Sequence, residues 1–123
     1  MRIRLLALAL AGIAANAQAE AIITIPLPVG EAGNISSQSY SCGDGAVFSV
    51  QYVNAGANSL AILPVDGDMR IFVNVPSASG ARYASGTYIW WSKGDGATLE
   101  NEIVEGSMVE CAPVPVGPGM SRG

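Results

Sequence analysis

The stretch VFSVQYVNAGANSLAILPVDGDMRIFVNV, residues 47–75, determines the fold class. Polar and apolar residues alternate in its first part, where Ser49 and Gln51 separate larger apolar side chains. Alternation with a period of two is typical of a strand that buries one face. The pair Asp66-Gly67 is a strong signal for a tight hairpin turn. The stretch therefore predicts three antiparallel strands, at 47–53, 59–63 and 69–75.

Similar short runs continue on both sides of this stretch. Glycine-rich turns separate five further runs, at 40–42, 81–84, 87–91, 97–102 and 108–111. No segment beyond residue 19 carries a sustained 3.6-residue periodicity, so helices are not expected there. About eight short strands favour an all-β, closed antiparallel barrel, because closure removes edges that would otherwise aggregate. We expect its interior to be filled by Phe48, Val50, Ile71 and Ile89.

Residues 1–19 have the features of a secretory signal peptide. Arg2 and Arg4 precede an apolar run at 5–15, and the triplet ending at Ala19 has the small-x-small form of a cleavage site. The run is shorter than the roughly 20 apolar residues of a transmembrane helix. We therefore expect export to the periplasm, cleavage after Ala19 and no membrane insertion of the mature chain.

The rest of the chain divides into three parts. Residues 20–38 combine an apolar run broken by Pro26 and Pro28 with a Gly/Ser/Asn-rich segment, which predicts a flexible arm. Residues 113–123 repeat proline and glycine too densely for a helix or a ladder, which predicts a disordered tail. Between them, residues 39–112 are expected to form a single barrel domain.

Charge and composition exclude several classes of function. The 123 residues include 10 acidic and 6 basic side chains and no histidine. Loss of Arg2 and Arg4 with the signal peptide would leave four basic side chains against ten acidic ones, a net charge of −6. An acidic protein is a poor partner for nucleic acid, and the commonest general base and metal ligand is missing. We expect no enzyme activity, no cofactor and no metal site.

Two cysteines, Cys42 and Cys111, flank most of the predicted strands. In an oxidising compartment an even count indicates a disulfide framework, and two cysteines allow a single intrachain pairing. Two reduced thiols without further ligands would make a poor metal site. We therefore expect one disulfide that staples the barrel.

The segment 77–95 concentrates unusual residues. It holds both tryptophans and two of the four cationic side chains that follow residue 19, Arg82 and Lys93. If residues 81–91 form neighbouring strands, Ser79 and Lys93 fall at the same end of the barrel. A hydroxyl and an ammonium group would then project side by side from one rim.

An ordinary structural interpretation of the same residues stays open. Tyrosines in strands usually belong to a core, which suits Tyr83 and Tyr88. Arg82 could pair with a carboxylate on the barrel surface, and Lys93 in a turn could be a solvated charge.

The motifs of this segment are similar to those of a known family. Tyr40-Ser41-Cys42, Ser79-Gly80-Ala81-Arg82-Tyr83, Tyr88-Ile89-Trp90-Trp91-Ser92-Lys93-Gly94-Asp95 and the closing Cys111 resemble the bacterial inhibitors of c-type lysozyme, the MliC/PliC family. The resemblance implies an eight-stranded barrel with one disulfide, whose S-G-x-x-Y loop and Y-x-x-x-[ST]-K-G segment block the lysozyme cleft. Membrane-tethered members carry a lipidated cysteine at the mature start, so this chain resembles the soluble periplasmic type.

The resemblance also implies a partner and a set of contacts. The partner is a c-type lysozyme, whose positive charge would steer it towards an acidic inhibitor. The expected lysozyme-binding residues are Ser79, Gly80, Arg82, Tyr83, Tyr88, Lys93 and Gly94. Homodimer formation is left open. The alternative function is a periplasmic barrel that binds a small ligand, which would require a hollow interior.

Overall fold

The computed structural model describes residue 12 and residues 20–115. Most of the predicted signal peptide, and the predicted tail beyond residue 115, lie outside the described residues. Within residues 20–115 no helix has the length and apolar character of a membrane span. The described residues form eight strands: β1 Asn34–Ser41, β2 Val47–Ala55, β3 Asn58–Val65, β4 Asp68–Val75, β5 Ala81–Ser85, β6 Tyr88–Lys93, β7 Gly96–Asn101 and β8 Val109–Pro113.

The strands close into an antiparallel barrel in chain order, with β8 pairing back onto β1. This confirms the predicted all-β, eight-stranded architecture. β1 begins at Asn34, so residues 34–38, which we assigned to the arm, form part of the barrel instead. The remaining residues of that segment, 20–33, lie outside the strands, and Ile22 and Ile23 there are more than four-fifths exposed.

The up-and-down strand order places successive connections alternately at the two ends of the barrel. The end that carries the turn 56–57, the loop 76–80 and the turn 94–95 is called the rim end here. The other, called the opposite end, carries the four remaining connections, at 42–46, 66–67, 86–87 and 102–108.

The interior is packed around Trp90, which is fully buried. The Tyr40 and Phe48 rings meet it edge-on, with ring centroids 5.0 and 5.9 Å away. The Trp90 indole N–H donates to the Tyr52 hydroxyl at 2.9 Å, so the one polar atom of this side chain is satisfied. The other largest fully buried side chains are Phe72, Leu63 and Val50.

A pair of tyrosine hydroxyls lies beside this indole. The oxygens of Tyr40 and Tyr52 are 2.8 Å apart and share a hydrogen bond. Burial, and secondly this hydrogen bond, raises the pKa of the Tyr40 hydroxyl far above its ordinary value of 10.0. Burial also raises the pKa of Tyr83, whose ring lies 5.9 Å from that of Tyr52. Burial in the core therefore favours the neutral form of Tyr40 and Tyr83.

Two of the four residues that we expected in the interior lie on the outer wall. Ile71 is 58% exposed, because it precedes the buried Phe72 and successive side chains in a strand point to opposite faces. Ile89 is buried, but it precedes Trp90 and is not part of the core cluster. Phe48 and Val50 do contribute to the core, as predicted.

The predicted disulfide between Cys42 and Cys111 is present. It lies at the seam where β1 meets β8, whose ladder has two residue pairs, Tyr40 with Pro113 and Ser41 with Ala112. The neighbouring β1–β2 ladder has eight pairs. The covalent link thus reinforces the shortest ladder of the barrel.

Candidate functional site

The loop 76–80 packs directly against the end of β6. Gly80 has φ +66°, a conformation that L side chains rarely adopt. A Cβ atom at this position would overlap the Ser92 carbonyl oxygen and would lie 2.8 Å from Cγ of Lys93. Only glycine therefore allows the loop to approach Lys93 this closely.

Two hydrogen bonds fix the conformation of the loop. The Ser77 hydroxyl donates to the Gly80 carbonyl oxygen at 3.0 Å, within the loop itself. The Trp91 indole N–H donates to the Ser79 carbonyl oxygen at 2.9 Å, from β6. The backbone of Ser79 is held in this way, and its side chain is exposed at the rim end.

Lys93 is the last residue of β6 and is also exposed. Its Nζ lies 3.7 Å from the centroid of the Trp91 ring, a close cation–π contact. Gly94 follows with φ +56° in the two-residue turn that leads into β7. Ser79 and Lys93 therefore stand at the same end of the barrel, and an exposed hydroxyl and an exposed ammonium group belong to directly contacting segments.

Arg82 lies on the outer wall beside this site. Its Nη2 forms an ion pair with Oε1 of Glu102 at 2.8 Å, and its Cζ lies 5.6 Å from the Trp91 ring centroid. The surface ion pair that the structural interpretation allowed is thus present. Arg82 adjoins the rim but shares its charge with Glu102.

The structure does not bring Tyr83 and Tyr88 to the rim end. Tyr83 is only 6% exposed, because alternate residues of β5 point into the barrel. Tyr88 begins β6, while Lys93 ends it, so the two residues lie at opposite ends of one strand. The Tyr88 hydroxyl donates to Oδ2 of Asp66 at 3.3 Å there. The fold therefore places both tyrosines away from the rim that carries Ser79 and Lys93.

Trp91 is the rim residue that the sequence analysis did not assign. It contacts both Ser79 and Lys93, and it is half-buried. The signal was available: Trp91 and Lys93 are two residues apart, so they share a face of any strand. The adjacent Trp90 obscured it, because either tryptophan could have been the one in the core.

A cleft of about 770 Å³ opens on the outer wall next to the rim. Trp91 and Lys93 line one part of it, and Gly96, Thr98 and Glu110 line others. The described part of the chain contains no cluster of three or more side chains of the types that ligate metals. The surface at this end therefore offers a hydroxyl, an ammonium group and an adjoining cleft for contact with a partner.

Comparison with known proteins places the chain in a family. The model of the family "MliC: Membrane-bound lysozyme-inhibitor of c-type lysozyme" matches residues 40–108, more than half of the chain. The chain belongs to this family. The match includes both motif segments and the strands that support them, from the end of β1 to the β7–β8 loop.

Two curated relatives in the MliC family carry the name membrane-bound lysozyme inhibitor of C-type lysozyme. The one from Pseudomonas aeruginosa is 58% identical over 64 residues, which are 51% of this chain and 50% of the relative. The one from Cupriavidus necator is 45% identical over 62 residues, which are 50% of each chain. The chain spans about half the length of the curated relatives it matches.

A solved structure shows the same fold. It is the crystal structure of Pseudomonas aeruginosa MliC in complex with hen egg white lysozyme, and its MliC chain is 42% identical to this chain. The match has a TM-score of 0.66 and covers 79% of this chain and 100% of the other.

Proposed function

We propose that this protein inhibits c-type lysozyme by inserting its rim end into the active-site cleft of the enzyme. The observation that carries the proposal is the exposure of the Ser79 hydroxyl and the Lys93 ammonium group together, on two segments that Gly80 allows to touch. The family assignment supports the partner, because an MliC relative with this fold occurs in complex with hen egg white lysozyme.

The chemistry of the two side chains suits that cleft. A c-type lysozyme cleaves its substrate with a protonated glutamic acid and an ionised aspartate, and in retaining enzymes two such carboxyl groups lie about 5 Å apart. A serine hydroxyl can both donate to and accept from a carboxyl group. A lysine ammonium group is a compact charge that can stand beside the aspartate. Blocking the cleft requires no reaction by the inhibitor.

The expected strength depends on how much of this geometry exists before binding. An ion pair at about 4 Å contributes on the order of 4 kcal/mol before desolvation at an effective dielectric constant near 20. Desolvation of the two charges offsets part of this gain. The hydrogen bonds of Ser77 and Trp91 to the loop reduce the entropy that is lost on binding. Local order therefore favours tight binding by a small number of groups.

The charge distribution supports the same orientation. Several acidic residues lie away from the rim, where Asp66, Asp68 and Glu105 are in or next to connections of the opposite end. The negative charge attracts a cationic enzyme from a distance, while Lys93 presents a positive tip to the acidic cleft.

The place of action in this proposal is the periplasm, reached by means of the predicted signal peptide with cleavage after Ala19. A small-ligand site inside the barrel gains no support, because Trp90, Phe72, Leu63 and Val50 are fully buried in its interior.

The test is a lysis assay with hen egg white lysozyme and the mature chain, from residue 20 onwards. We expect inhibition by the unsubstituted protein and its loss in the double variant Ser79→Ala/Lys93→Ala. Ser37→Ala, which removes an exposed hydroxyl from the outer wall of β1, is the matched control and should inhibit normally. Goose-type and invertebrate-type lysozymes serve as specificity controls. An unchanged inhibition constant in a folded double variant would reject the mechanism.

A further inference from the structure

A single side chain contacts both functional segments of the rim. The Trp91 indole N–H donates to the Ser79 carbonyl oxygen at 2.9 Å, and the face of its ring lies 3.7 Å from the Lys93 ammonium group. Trp91 is half-buried on the outer wall of β6, next to the fully buried Trp90.

These two contacts restrain different parts of the rim. The loop 76–80 leaves the barrel between β4 and β5, so its position relative to β6 depends on bonds that cross between segments. Lys93 has a flexible four-carbon stem, and an exposed lysine normally samples many rotamers. The indole N–H restrains the loop, and the ring face restrains the lysine side chain.

We propose that Trp91 is the positioning residue of the rim, which presets the Ser79 backbone and the Lys93 ammonium group for a carboxyl pair in the lysozyme cleft. This inference rests on the proposed inhibition and adds to it the residue that sets its geometry. Trp91 acts through its two neighbours and need not itself contact the enzyme.

The surroundings of the ring favour Lys93 as its cation. The Arg82 guanidinium is also near, with Cζ 5.6 Å from the ring centroid, and two positive charges on one ring would repel each other. Glu102 binds the Arg82 guanidinium at 2.8 Å and partly neutralises it. Lys93 is consequently closer to the ring than Arg82 is, and it meets little repulsion from the paired Arg82 charge.

Two substitutions of Trp91 separate the contribution of its hydrogen bond to inhibition from that of its cation–π contact. Trp91→Phe keeps an aromatic face but removes the N–H, and it should raise the inhibition constant about threefold to tenfold, the effect of one hydrogen bond. Trp91→Leu removes both contacts and should raise it about tenfold to a hundredfold. In a Lys93→Ala background, Trp91→Leu should cost only about as much as Trp91→Phe does, because no ammonium group is left to position.

The other end of β6 provides a matched control. Arg70 lies over the Tyr88 ring, with Cζ 4.7 Å from the centroid, so Tyr88→Leu also removes a cation–π contact from a half-buried aromatic residue. This variant should change the inhibition constant by less than about twofold, since its site is far from the rim. Fluorescence of the buried Trp90 reports whether each Trp91 variant is folded.

A measurement on the free protein tests the positioning without any enzyme. In NMR spectra, the ring current of Trp91 should shift the Lys93 Hε protons upfield, and Trp91→Leu should abolish the shift while Trp91→Phe retains it.

Two results would overturn the role of Trp91: Lys93 Hε shifts at ordinary values in the unsubstituted protein, or a folded Trp91→Leu variant that inhibits normally. Failure of the unsubstituted protein to inhibit would instead reject the proposed function, and the NMR experiment would still decide whether Trp91 holds Lys93.

Discussion

Each end of β6 has a cation over an aromatic ring, but the two cations differ in their other contacts. At the opposite end Tyr88 has the Arg70 guanidinium over its ring, and at the rim end Trp91 has the Lys93 ammonium group over its ring. Arg70 also donates to the Ser85 carbonyl oxygen at 3.1 Å, so its charge serves the barrel itself. Within the described part of the chain Lys93 forms no ion pair, and it is exposed.

The difference shows what distinguishes a structural cation from one available to a partner. A guanidinium bonded to its own backbone gains little from an external carboxylate, because that bond would have to be broken first. An ammonium group over an aromatic ring keeps the N–H donors that point away from the ring for another molecule. The rim end is thus ordered by contacts that leave its hydrogen-bonding groups free.

Alanine substitution of one glycine at each end should give the largest difference in effect between the two ends. Gly80 at the rim and Gly86 at the opposite end both have positive φ, +66° and +57°. Alanine at Gly86 would meet its nearest atom at 3.6 Å, so Gly86→Ala should cost about 1 kcal/mol of stability through its backbone conformation. Gly80→Ala adds overlap with Ser92 and Lys93 and should cost about 3 kcal/mol.

Chemical denaturation of both variants measures these costs, and the lysis assay measures their effect on function. Gly80→Ala should impair inhibition even where the protein is fully folded, because the loop must move away from Lys93. Gly86→Ala should inhibit as the unsubstituted protein does. Equal inhibition by the two folded variants would show that the close approach at Gly80 has no functional role.

The core between the two ends should respond to alkaline pH. The raised pKa of Tyr40 means that the folded state keeps a proton that the unfolded state releases above the ordinary value of 10.0. The stabilisation is therefore complete below that pH and is lost as the pH rises above it, by about 1.4 kcal/mol per pH unit for one tyrosine.

Tyr40→Phe isolates this contribution. Its free energy of unfolding should be lower near neutral pH, because the hydrogen bond with Tyr52 is lost, but should fall less steeply above pH 10.0. Denaturant titrations at several alkaline pH values give both quantities. A slope identical to that of the unsubstituted protein would mean that another group controls the alkaline loss.

Most of the fold was predictable from the sequence, but one face of a strand was not. Period-2 runs, the turn at Asp66-Gly67 and the pair of cysteines led to the disulfide-linked barrel. In β4, however, Met69, Ile71 and Val73 share the outer face, while Phe72 lies inside with Arg70 on the same side of the strand. Hydrophobicity alone selects the wrong face here, because a shift of one residue exchanges the two faces.

The site, like the fold, was predictable in its topology but not in which strand faces are buried. The topology alone places Ser79 and Lys93 at one end, since β5 leads away from that end and the antiparallel β6 returns to it. The inward orientation of Tyr83 and the contacts of Trp91 depend on which face of β5 and of β6 is buried. That choice is made by packing around Trp90, and residue types alone do not reveal it.

The smallest expected effect concerns the unequal charge of the two ends. Asp68→Asn with Glu105→Gln removes two exposed acids at the opposite end and should slow association with hen egg white lysozyme a few-fold at low salt, with dissociation unchanged. Asp95→Asn removes an acid next to Lys93 at the rim and should instead slow dissociation, because less negative charge then faces the enzyme's carboxyl groups. Stopped-flow kinetics at two salt concentrations separates these cases. If both variants changed the same rate constant in the same direction, the two ends would not have the separate roles of attraction and insertion.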